Sequence, residues 1–100
     1  MPATIFFLQR AGAPKKWRII GPEATVTFGA RGYEDYTQHH DRNRQRLYLE
    51  RHKDRENWSR SGSKTAGFWS RWLLWNKPSL AASIRDLRSR FGYRIVMNHY

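Results

Sequence analysis

The chain has 100 residues, a net charge of +11 from 19 lysines and arginines against eight acids, and no cysteine. That length makes one small domain, or a domain with long arms. The missing cysteines exclude a disulfide framework, a thiolate zinc site and a cysteine nucleophile, and they suit a reducing compartment.

The opening MPATIFFLQR puts no basic stretch ahead of its apolar residues, so no signal peptide is expected. Thr4 to Leu8 is β-branched and aromatic and reads as a short strand. Gly12 and Pro14 mark a loop, Trp17 to Ile20 reads as a second strand, and Gly21-Pro22 is a turn. Ala24 to Phe28 alternates with period two and reads as a third strand. The three make a small antiparallel sheet or meander, or else an extended arm that completes a neighbour's sheet.

Gly29 and Gly32 mark a turn, and Asp35 to about Lys53 reads as one helix capped by Asp35 or Thr37. Its apolar residues are few, only Tyr36, Leu47, Tyr48 and Leu49. Opposite charges recur three or four apart, as in Asp41 with Arg44 and Arg46 with Glu50. This is either a solvated helix laced with ion pairs or a helix offering both charges to protein neighbours. Glu56 to Ser63 reads as a connector carrying Trp58.

Ser61 to Pro78 is the stretch around which the rest is organised. It holds Trp69, Trp72 and Trp75, three of the five tryptophans. Ser63 or Thr65 caps a helix starting near Ala66, and Pro78 ends it by disfavouring helical geometry at Lys77. At ~100° per residue, Phe68, Trp69, Trp72, Leu73 and Trp75 fall within an arc of roughly 160°, with Ser70, Arg71 and Leu74 opposite. So short a helix is marginal alone in water and must pack on something. The aromatic face is either the centre of the protein's own core or a surface that docks on another protein or a membrane. The apolar run Trp72 to Trp75 is far too short to span a bilayer.

Beyond Pro78, Ser79 is a fair N-cap, and Leu80, Ile84, Leu87 and Phe91 form an amphipathic stripe ended by Gly92. Tyr93 to Met97 reads as a final strand or an ordered tail. The expected architecture is therefore α+β. A short N-terminal antiparallel sheet or extended arm (1–33) is followed by three helices (near 35–53, 65–76 and 79–91) and a short C-terminal strand or tail (92–100).

Composition points to interfaces. Leu, Ile, Val and Phe number only 19, which with the high charge leans toward disorder, and ten Trp and Tyr residues offset this. Trp, Tyr and Arg are the residues enriched where proteins meet. The middle of the chain, 34–60, is almost neutral, with seven bases and six acids, whereas 61–100 has seven bases and one acid.

His39, His40, Asp41, His52 and His99 match no zinc spacing, and the acids alternate with arginines as ion-pair partners rather than clustering. Gly29, Gly32, Gly62 and Gly67 form no phosphate-cradling loop, and no serine stands in a nucleophile elbow. The reading is non-enzymatic, with no metal, cofactor or small-molecule substrate. For nucleic acid, Arg85, Arg88, Arg90 and Arg94 with Phe91 and Tyr93 can track a phosphate backbone, although no continuous basic run exists. For a membrane surface, Arg71 and Lys77 beside the tryptophans are compatible with an interfacial helix.

Tyr33-Glu34-Asp35-Tyr36-Thr37, Arg51-His52, Trp58, Ser61-Gly62 and above all Thr65 to Pro78 (TAGFWSRWLLWNKP) resemble a family of small basic proteins of the nucleocytoplasmic large DNA viruses, the giant viruses of algae and their relatives. The resemblance spans roughly Phe28 to Phe91, and the tryptophan block is its specific part. It implies a virion structural role: a minor capsid (cement) protein beneath icosahedral double jelly-roll capsomers, on the inner face of the shell near the inner membrane. The implied partners are the major capsid protein and other minor capsid proteins. Trp58, Phe68, Trp69, Trp72 and Trp75 are the expected anchors, some of them intramolecular, and Arg44, Arg51, Arg55 and Arg71 the expected ionic contacts. The alternative reading is a virus-encoded nucleic-acid-binding protein packaged with the genome.

Overall fold

Alternation along the first strand decides which side of the sheet is dry. In the computed structural model, which describes residues 3–98, β1 spans Thr4–Arg10, with Phe6 and Leu8 buried and Ile5 and Phe7 exposed. β2 (Lys15–Ile20) and β3 (Thr25–Ala30) follow as an antiparallel meander, and Ile19 and Phe28 continue the buried face. His99 and the end of the expected tail lie outside the described residues.

The helical part starts at two aspartate caps. Asp35 accepts from the Thr37 amide at 3.0 Å and opens α1 (Tyr36–His39), and Gln38 closes a capping box on the Asp35 amide. His40 then takes a left-handed conformation (φ 58°) that ends the turn. Asp41 caps α2 (Arg42–His52) by accepting from Asn43 and Arg44 amides. The single helix expected over 35–53 is thus two helices. An ion pair of 2.7 Å from Lys16 to the buried Asp35 ties α1 to β2.

A 3₁₀ turn over Arg60–Gly62 leads into the tryptophan block. Gly62 is required there, because a Cβ would lie 1.9 Å from the Asn57 carbonyl oxygen. Thr65 caps α3 (Ala66–Trp69), which widens into a π turn over Ser70–Leu74 whose closing bond runs from Trp75 N–H to Ser70 C=O at 3.0 Å. The extra residue rotates the downstream positions by about 100°. Leu74, expected opposite the aromatic arc, is consequently buried with Leu73. Ser79 caps α4 (Leu80–Phe91), which buries Leu87 and stops at Gly92 in the left-handed region (φ 71°).

β4 (Tyr93–Met97) overturns the expected order of an N-terminal sheet or arm, three helices and a terminal strand or tail. It runs parallel to β1, with Phe6 opposite Ile95 and Leu8 opposite Met97. The sheet is four-stranded and mixed, in the order β3-β2-β1-β4, built from both ends of the chain with the helices between. The physical reason is that β1 has a second free edge, and Tyr93 and Ile95 alternate in step with Phe6 and Leu8, so pairing there extends the dry face. Against that face pack Phe68, Trp69, Trp72, Leu73, Leu74 and Leu87. Each indole buried here removes an area worth roughly 4–6 kcal/mol of gross transfer energy.

Candidate interaction surfaces

Most of the expected anchors hold the molecule together. Phe68 and Trp69 are fully buried, and Trp69 meets Phe6 edge-on at 4.9 Å. Trp69 donates its indole N–H to the Ser63 carbonyl, and Trp72 donates to that of Trp58, both at 2.8 Å. Trp58 is half-buried against the core, and its N–H goes to Glu56 at 2.9 Å. With every one of these N–H groups satisfied internally, Phe68, Trp69 and Trp72 present little to a partner.

Arg71 is stacked over Trp72 at 4.0 Å and over Trp58 at 5.2 Å, with Arg90 also over Trp72 at 4.5 Å. Its Nε and Nη1 are buried without an acceptor. Burial, and then the nearby Arg90 charge, push its guanidinium pKa down. Arg55, beyond the end of α2, turns back and donates twice to the Arg51 carbonyl, at 3.1 and 2.9 Å, so it caps that helix.

Trp75, Arg44 and Arg51 come together elsewhere. Gln45 donates to the Trp75 and Asn76 carbonyls at 3.0 and 2.8 Å, fastening α2 to the end of the π turn. Tyr48 stacks on Trp75 at 4.2 Å with the planes 4° apart, and His52 stacks on Tyr48 at 4.1 Å. Burial raises the Tyr48 phenol well above its usual pKa, and the Glu56 charge adds to this. Beside this ring column lies a cleft of about 520 Å³, with Tyr33, Leu47, Arg44 and Arg51 around it. Tyr33 is 75% exposed and Leu47 39%. Arg44 reaches Glu34 only at 3.4 Å between exposed groups, a pair worth little. Arg51 has no acidic partner within salt-bridge distance among the described residues.

The second surface is the side of the sheet turned away from the helices. Ile20, Phe7 and Val96 stand in one row across β2, β1 and β4, with Ile5 beside Arg94 and Gln9 beside Arg18. Ile5 is 45% exposed and Phe7 42%. The expected basic cluster is divided by the sheet: Arg85 and Arg88 are exposed on α4, Arg90 pairs with Asp86 at 3.2 Å, and Arg94 lies on β4.

The histidines serve local ends. His39 Nδ1 accepts from the Asp41 amide, His40 bonds the Thr37 carbonyl, and His52 bonds Glu56. Among the described residues no group of three or more His, Asp and Glu side chains is placed to hold a metal ion. Of Tyr33, Leu47 and the outward sheet residues, only Arg94 figured among the expected contacts, as part of the basic cluster. Adjacent Phe6-Phe7 in a strand carried that signal, since one of two neighbours must face outward.

Residues 11–52 match the model of a family of unknown function (DUF5754). That segment contains β2, β3, α1 and α2, hence the α2 wall of the cleft. The chain matches no curated protein and no solved structure.

Proposed function

We propose that the protein is a non-enzymatic minor capsid protein of a large icosahedral DNA virus, cementing capsomers from the inner face of the shell. The observation that carries this reading is the cleft. Aromatic, leucine and arginine side chains (Tyr33, Leu47, Trp75, Arg44, Arg51) surround it with Glu34, and all of the five but Trp75 are exposed. This is the composition of hot spots where proteins meet. A protein beneath the shell also needs a surface for what lies below it, and the open sheet face is a second surface, separate from the cleft. The major capsid protein and other minor capsid proteins are the partners, and the charge of +11 favours acidic neighbours, including an anionic inner membrane.

The test is direct binding of the purified protein to the major capsid protein of the virus that encodes it. Saturable binding is expected, weakened at least about tenfold by Leu47→Asp and by Arg51→Glu. Arg85→Gln, on the exposed side of α4, should leave it within about twofold. No binding, or binding indifferent to the cleft substitutions, overturns the proposal.

A further inference from the structure

We infer that the open face of the sheet binds single-stranded nucleic acid, with a base stacked on Phe7 and phosphates held by Arg18 and Arg94. Three observations carry this, and none depends on the capsid reading. Phe7 lies on β1, an interior strand of the sheet, with 42% of its surface exposed, and Ile5, Ile20 and Val96 surround it. An exposed aromatic on a strand paired on both edges is a stacking platform, since every base has a π-face.

The second observation is charge. None of the four strands contains an acidic residue, and the outward cations Arg18 and Arg94 have no acidic partner within salt-bridge distance among the described residues. Elsewhere the arginines are more often engaged: Arg44, Arg46 and Arg90 pair with carboxylates, and Arg31 donates to backbone carbonyls.

The third is placement. Arg94 sits beside Ile5 and Arg18 beside Gln9, at opposite corners of the apolar row. Strand geometry puts their Cα atoms roughly 16 Å apart, with Phe7 between. The order cation, apolar row, cation suits an extended strand that turns its bases to the sheet and its phosphates to the corners.

Other occupants fit less well. A second copy would bring +11 against +11. A duplex hides its bases and would meet Phe7 and Ile5 with sugar and phosphate alone. A bilayer presents its anions in one plane rather than on either side of an apolar strip.

The experiment is fluorescence anisotropy with a labelled oligothymidine of roughly 12 nucleotides, within the range one such platform covers. The same protein is titrated across salt concentrations, and a duplex of equal length and phosphatidylserine vesicles serve as separate arms. Phe7→Ala should weaken oligothymidine binding roughly tenfold while Phe7→Tyr retains it. Arg18→Gln and Arg94→Gln should each lower the salt slope by about 0.7, and duplex binding should not respond to Phe7. Circular dichroism melts report whether each variant folds, and if Phe7→Ala does not, Phe7→Tyr and the arginine variants decide. The inference is overturned if folded Phe7→Ala binds as tightly as the native protein, or if Arg85→Gln on α4 costs as much as Arg94→Gln. It is equally overturned if vesicles are captured through Phe7 and oligothymidine is not.

Discussion

Trp72 is held from several sides, by Phe91 edge-on at 5.4 Å, by the Arg71 and Arg90 guanidinium groups over its ring, and by the bond to the Trp58 carbonyl. Trp72→Ala empties that space and strands the carbonyl, so chemical denaturation should show a loss of about 3–5 kcal/mol. A loss under about 1 kcal/mol would remove Trp72 from the core. Asp86 gives a pH signature. Partial burial raises its carboxyl pKa, but hydrogen bonds from Asn76 and Arg90, with the Arg90 and Lys77 charges, outweigh this and hold it below the usual range. A depressed carboxyl adds stability that is complete above the unfolded value, near pH 4, and is lost as pH falls through the lower folded value. Asp86→Asn should therefore cost about 1–2 kcal/mol at neutral pH. The gap from the native protein should close as denaturation is followed below about pH 4. A gap independent of pH would contradict the ionic origin.

At the scale of elements, β4 is the piece on which the sheet depends. Removing residues 93–100 would expose the β1 edge and uncover Phe6 and Trp69, which pack with Tyr93. The truncated chain should lose cooperative thermal unfolding, and a sharp transition near the native midpoint would show that the N-terminal strands and helices suffice. Legibility in the sequence tracks the range of the signal. The three N-terminal strands and α4 were readable within a residue or two, because periodicity, Gly-Pro turns, Ser79 and Gly92 are local marks. The pairing of β1 with β4 was not readable, since nothing in Tyr93 to Met97 names a partner some ninety residues earlier in the chain. The break at His40 had a sign in the two capping aspartates, Asp35 and Asp41. The π turn had none, and without it the helical wheel put Leu74 on the wrong side. The candidate site was half visible: Trp75, Arg44 and Arg51 were singled out, but only tertiary packing brings Tyr33 and Leu47 to the same cleft.

For the whole molecule, the aromatic wealth that looked like interface chemistry is mostly spent inside. A chain of this size buries about two-thirds of its surface, and with few aliphatics the indoles must supply the core. What remains for partners is a cleft on the helical layer, an open sheet face behind it, and a net charge of +11. A body with two outward surfaces is suited to bridging, and that is the centre of the functional proposal. A density map, at side-chain resolution, of the virus particle in which the proposal places the protein tests it most directly. Symmetric, ordered copies are expected beneath the capsomers, with Tyr33 and Leu47 seated against a capsid protein and Trp69 and Trp72 enclosed by their own chain. A shell lacking the protein, or copies whose cleft faces solvent while Trp69 and Trp72 insert into a neighbour, would contradict it.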